Sequence, residues 1–102
     1  MQKLLIIDDS VSFMNDVEFV LKNEFQIFKA ETGSKGLALI MKEDINLVLL
    51  DLKLPDIYGL DVLEKIHTEV DPLLPVIIIT DHGNVQTFLY RIPLFALLHR
   101  TQ

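Results

Sequence analysis

The sequence of 102 residues predicts an α/β fold built on a doubly wound parallel sheet. Short apolar runs alternate with stretches of helical periodicity, and this alternation is typical of strand–helix–strand units with right-handed crossovers. Half of the residues are hydrophobic, so a chain of this length can bury one core.

The first half of the chain reads as two strand–helix pairs. Residues 3–7 form an apolar run that ends at two acids, which predicts a strand buried on both faces. Ser10 is a suitable N-cap for a helix to about Asn23, because apolar residues recur after it at helical spacing. Residues 25–30 alternate as a second strand does, and Thr32 opens a second helical pattern.

The next part of the chain repeats this order. Residues 47–51 form another buried strand that ends in an acid, and residues 54–59 read as a loop. A third helix is predicted to run through Leu60 and Ile66. Residues 76–80 are rich in β-branched side chains and predict the fourth strand.

The last residues differ in composition from the rest of the chain. All 15 acids and all seven lysines lie in residues 1–81, whereas residues 82–102 contain both arginines. Nine of the 12 residues in 87–98 are apolar. We therefore predict a core at 1–81 and a divergent apolar C-terminal tail at 82–102 within one domain.

Charge and composition exclude several classes of protein. The net charge of −6 disfavours direct binding to nucleic acid and to anionic membranes. The absence of cysteine excludes disulfide scaffolds and cysteine-rich zinc folds. The apolar run at 4–7 is too short for a signal peptide, and the one at 87–98 is shorter than the roughly 20 residues of a membrane span. A cytoplasmic location is the expectation.

Acids at the ends of predicted strands are the main chemical signal. Parallel strands point the same way, so Asp8, Asp9 and Asp51 are expected to converge at one edge of the sheet, where ligands of such folds bind. Three carboxylates repel one another unless a hard cation holds them, which predicts a Mg²⁺ site. Thr80, at the end of the fourth strand, would add a hydroxyl group. This combination suits phosphoryl transfer to an aspartate.

Residues 1–81 resemble the receiver domain of two-component response regulators, a flavodoxin-like fold. The resemblance implies the strand order 2-1-3-4, with a fifth strand and a fifth helix missing or degenerate. The resemblance is carried by the segments 4–10, 47–60 and 76–80. It implies that Asp51 accepts a phosphoryl group from a sensor histidine kinase.

The resemblance also implies the roles of other residues at the site. Asp8 and Asp9 would hold Mg²⁺ with Asp51, and the backbone carbonyl of Lys53 would be a further ligand. Thr80 would be the switch residue that meets the phosphoryl oxygens. The loop after Asp51 would be shaped by two residues, Pro55 and Gly59. Such a protein is not a conventional enzyme, since it phosphorylates itself and at most slowly removes the group.

The sequence departs from the family pattern near its end. The family's lysine would fall near position 102, which is Gln102, and no catalytic lysine is found. Without a fifth helix and strand, the sheet would expose part of Val48, Leu50, Ile77 or Ile79 and leave an open edge. We therefore expect a homodimer through the C-terminal tail or a sheet edge.

Several alternatives remain open from the sequence. The chain could be a pseudo-receiver that no longer switches and serves protein interaction or dimerisation. A phosphohydrolase of the haloacid dehalogenase type is disfavoured, because it should carry an acid where this chain has Lys53. The tail could pack within its own chain, cover a partner or a second copy, or result from a truncation or frame change.

Overall fold

The central sheet contains five strands in the order β2-β1-β3-β4-β5. Strands β1–β4 pair in parallel, and β5 pairs with β4 in antiparallel orientation. The computed structural model describes residues 1–79 and 89–90. It confirms the predicted order 2-1-3-4, while Thr80 and most of the predicted tail lie outside the described residues. The strands are β1 (Gln2–Ile7), β2 (Phe25–Ala30), β3 (Leu47–Asp51), β4 (Val76–Ile79) and β5 (Leu89–Tyr90).

Three α-helices connect the parallel strands. They are α1 (Val11–Leu21), α2 (Gly33–Lys42) and α3 (Gly59–Lys65), and α3 continues into a π-helical turn at Ile66–Val70. The first two helices begin at side-chain caps, and the first of these is the predicted Ser10. The Ser10 hydroxyl accepts a hydrogen bond from the Phe13 amide at 3.2 Å, and the Thr32 hydroxyl accepts one from the Lys35 amide at 3.1 Å.

The core lies on both faces of the sheet. Alternate residues of each strand point to opposite faces, so neighbouring side chains of one strand belong to different clusters. The cluster beneath α2 and α3 includes Val48 and Leu50, which are fully buried. The cluster beneath α1 includes Leu49, with Ile77 packed against it and partly exposed. The expected exposure is therefore wrong for Val48 and Leu50, because α2 and α3 cover their face, and it is also wrong for Ile79, which is buried. It is confirmed for Ile77 alone of the four.

The outer edge of β4 is partly covered. Ile78 pairs with Tyr90 and Ile79 pairs with Leu89, so a strand of two residues occupies the fifth position. The prediction that β4 has an open edge is therefore wrong at these two positions. Among the residues that the structure describes, no helix has the length and apolar character needed to cross a membrane.

Candidate functional site

Three carboxylates meet at the C-terminal edge of the sheet. Asp8 and Asp9 directly follow β1, and Asp51 is the last residue of β3. Each can offer an oxygen within 4.8 Å of those of the other two. Asp8 and Asp51 are buried whereas Asp9 is exposed, so the cluster borders solvent on one side. The structure thus brings together the three acids that the sequence predicted to converge.

Backbone amides orient the two buried carboxylates. The Ser10 amide donates to Asp8 Oδ1 at 2.8 Å, just before α1 begins. The Asp8 amide donates to the Ala30 carbonyl at 3.0 Å, which fixes this residue beside the end of β2. The Lys53 amide donates to Asp51 Oδ1 at 3.1 Å. These bonds hold the carboxylates in place through elements that the fold itself positions.

The donor set fits a hard divalent cation. At an effective dielectric constant of about 20, two carboxylates at this separation repel by roughly 3 kcal/mol, so the buried Asp8–Asp51 pair favours a bound cation. Oxygen ligands and an open side that can admit water are what Mg²⁺ requires. The Asp9 carboxylate borders that open side. Among the described residues, this is the group of acids whose geometry could hold a metal ion.

The loop after Asp51 folds back tightly against the end of β3. The Gly59 amide donates to the Leu52 carbonyl at 2.8 Å. A Cβ atom at position 59 would lie 2.5 Å from the carbonyl oxygen of Asp51 and 2.5 Å from the Cα atom of Leu52. Gly59 is therefore required for a close approach of two backbone segments. Lys53 and Pro55 are exposed in the same loop, and their predicted roles stay predictions.

Asp56 links this loop to the start of α2. Its carboxylate accepts hydrogen bonds from the Gly33 amide at 2.8 Å, the Ser34 amide at 3.0 Å and the Ser34 hydroxyl at 2.7 Å. Asp56 lies in the loop before α3, as the sequence predicts, and its carboxylate caps the start of another helix. The negative charge also suits the N-terminus of α2. No local pattern could have revealed this contact, because the partners lie 22 and 23 residues away.

These bonds predict an acid-dependent contribution of Asp56 to stability. Hydrogen bonds from the Ser34 side chain, the Ser34 amide and the Gly33 amide lower the pKa of Asp56 from 3.8 to about 2. Because the pKa of Asp56 is lower in the folded state, its ionised carboxylate stabilises the fold fully above about pH 4. This stabilisation is lost as the pH falls toward 2. In urea unfolding at pH 6, the midpoint of the Asp56→Asn variant should lie below that of the parent protein. The difference between the two midpoints should become smaller below pH 4. A gap that is independent of pH would contradict this assignment.

A doubly wound sheet with clustered acids at its C-terminal edge is the arrangement that the resemblance to signalling receivers implies. The family model for the response regulator receiver domain matches residues 4–92, and the chain belongs to this family. The family acts in two-component signal transduction and phosphorelays.

Individual relatives agree with this assignment. Sporulation initiation phosphotransferase F of Bacillus subtilis (strain 168) is 33% identical over 99 residues, which cover 96% of this chain and 79% of that protein. The CheY-like receiver domain protein from Methanospirillum hungatei JF-1 superposes with a TM-score of 0.77 at 30% identity, over 96% of this chain and 74% of that one. Transcriptional regulatory protein GlrR of Escherichia coli (strain K12) is 32% identical over 83 residues. The chain spans 18% of the length of that regulator.

Proposed function

We propose that this chain accepts a phosphoryl group on Asp51 from a sensor histidine kinase, with Mg²⁺ as the cofactor. The observation that carries the proposal is the cluster of Asp8, Asp9 and Asp51 at the C-terminal edge of a receiver fold. Asp51 is the member of the cluster that ends β3, which borders both β1 and β4. It is therefore the central carboxylate of the edge and the best placed to act as the nucleophile.

The geometry suggests a role for each of the acids. The Lys53 amide holds the Asp51 carboxylate through Oδ1, and this carboxylate is the group that attacks the phosphorus atom. A phosphorus–oxygen bond forms as the phosphorus–nitrogen bond of the kinase's phosphohistidine breaks, and the imidazole leaves in its neutral form after taking a proton from solvent. Bound by the three acids and the Lys53 carbonyl, Mg²⁺ would offset the negative charge on the phosphoryl oxygens. Thr80 is proposed as the switch residue, and Pro55 and Gly59 as the residues that shape the loop.

A small phosphoryl donor tests this proposal without a kinase. We expect incubation with acetyl phosphate and Mg²⁺ to add one phosphoryl group to the intact mass, and we expect removal of the metal with EDTA to prevent the addition. An addition that persists in EDTA would contradict the role of Mg²⁺. If a sample with a folded circular dichroism spectrum gains no mass, the receiver proposal fails. The chain would then be a pseudo-receiver, the alternative that Gln102 in place of the family's lysine favours.

The predicted partners form part of the same proposal. The kinase is the phosphoryl donor, and a homodimer through the C-terminal tail or a sheet edge is the second predicted contact. Light scattering at micromolar protein concentration should give the mass of two chains, and the mass of one chain would contradict the dimer. The cytoplasmic location stays a prediction from the sequence.

A further inference from the structure

Asp56 connects the loop after β3 to the start of α2 at the C-terminal edge of the sheet. The loop comprises residues 52–58, which lie between β3 and α3 and belong to no helix or strand. It contains Lys53, whose backbone carbonyl is the proposed further ligand of Mg²⁺. Since no regular structure fixes the loop, its conformation depends on the contacts that its residues make with neighbouring elements.

The Asp56 carboxylate holds the loop through hydrogen bonds. It accepts three from α2, namely from the Gly33 amide at 2.8 Å, the Ser34 amide at 3.0 Å and the Ser34 hydroxyl at 2.7 Å. A fourth comes from the Ile57 amide at 2.9 Å. Hydrogen bonds to an ionised acceptor are roughly twice as strong as those between neutral groups. Asp56 is exposed, so water could satisfy its carboxylate, and burial does not account for these bonds.

Apolar packing fixes the same segment of the loop to α2. A Cβ atom at Gly33 would lie 3.2 Å from the Cβ atom of Ile57, so the backbone at the start of α2 approaches the loop closely. The Ile57 side chain packs against the core cluster beneath α2 and α3. The position of the loop relative to α2 is therefore set by both polar and apolar contacts.

The contact of Asp56 closes a ring of bonded segments around the acidic cluster. The Asp8 amide donates to the Ala30 carbonyl, which joins the ends of β1 and β2, and α2 begins three residues after Ala30. Asp56 then joins α2 to the loop that starts after Asp51, the last residue of β3. Because β3 is the neighbour of β1 in the sheet, the ring is complete.

We infer that Asp56 is a positioning residue for the metal site: by binding the loop to α2, it holds the Lys53 carbonyl in place beside Asp51 before the ion arrives. The inference rests on the proposed function of the acidic cluster. Mg²⁺ demands near-ideal octahedral geometry, so a ligand on an irregular loop binds it well only when the loop is ordered in advance. Asp56 itself lies outside the group of acids that could hold the ion.

Titration of the full chain with Mg²⁺ alone, followed by calorimetry, tests the inference without a phosphoryl donor. Asp56→Ala should raise the dissociation constant of Mg²⁺ about 10-fold, the lower end of the usual effect of removing a residue that supports a metal ligand. Thr32→Ala is the matched control, because the Thr32 hydroxyl caps the same helix through the Lys35 amide of that helix. Both variants should lower the urea midpoint, but Thr32→Ala should keep the parent dissociation constant.

Ser34→Ala separates the hydrogen bonds of Asp56 from its charge. Loss of the Asp56 carboxylate also removes a negative charge that attracts cations at a distance, whereas loss of the Ser34 hydroxyl removes one hydrogen bond and leaves the net charge unchanged. Ser34→Ala should therefore raise the dissociation constant by a smaller factor than Asp56→Ala. Added to Asp56→Ala, it should have no further effect, because the two residues act through one contact.

The variants and the parent protein decide different questions. If Asp56→Ala and Thr32→Ala weaken Mg²⁺ binding equally, Asp56 only stabilises α2 and the inference is wrong. It is also wrong if either Asp56→Ala or Ser34→Ala leaves the dissociation constant unchanged. A parent protein that binds no Mg²⁺ would instead refute the metal site of the proposed function, and the inference would fall with it.

Discussion

Asp51→Asn is expected to abolish phosphorylation by acetyl phosphate while the protein stays folded. Asparagine has nearly the same shape and its carbonyl oxygen can still accept the hydrogen bond from the Lys53 amide. Its neutral amide cannot act as the nucleophile. Removal of one charge from the acidic cluster should also raise the urea midpoint in metal-free buffer. Intact mass and urea unfolding measure the two effects.

Asp61→Asn is the matched control for this substitution. Asp61 lies on α3, is exposed, and does not belong to the acidic cluster. The Asp61→Asn variant should therefore take up one phosphoryl group with the same yield as the parent protein. A phosphoryl group that persists on Asp51→Asn would identify another acceptor and contradict the assignment of Asp51.

Much of the site could be predicted from the sequence because the direction of the strands in the sheet brings its residues together. The first, third and fourth predicted strands were apolar runs with polar ends, and parallel strands in one sheet place those ends at the same edge. The convergence of Asp8, Asp9 and Asp51 therefore needed only the strand assignment, and the structure confirms it. The Ser10 cap could be predicted as well, since a capping side chain bonds an amide within three residues of itself.

Other features could not be predicted because nothing local specifies them. The run at 47–50 is apolar throughout, so no alternation shows which side chains face α1, and the expectation for Val48 and Leu50 was wrong. The contact of Asp56 with the start of α2 joins residues that are distant in sequence. The two-residue strand β5 depends on pairing with β4 and not on its own periodicity.

Gly59→Ala is expected to destabilise the protein by about 3 kcal/mol, the upper end of the usual cost of overpacking a core. The added Cβ atom would meet the Asp51 carbonyl oxygen and the Leu52 Cα atom, each at 2.5 Å. Both are backbone atoms, so no side-chain rotation relieves the clash. A small domain is stable by about 5–15 kcal/mol, so the variant should fold with a much lower urea midpoint.

The same clash should also reduce phosphorylation at Asp51, because the backbone that must move carries the acceptor. Gly33→Ala is the matched control: its Cβ atom would meet the side chains of Val62 at 3.0 Å and Ile57 at 3.2 Å, which can yield by a few tenths of an ångström. We expect the control to change stability by under about 1 kcal/mol and to keep the parent rate. Equal losses of stability in the two variants would mean that the loss of glycine, and not the contact with the end of β3, causes the effect. A large loss of stability in Gly59→Ala with an unchanged phosphorylation rate would separate the loop's role in folding from the positioning of Asp51.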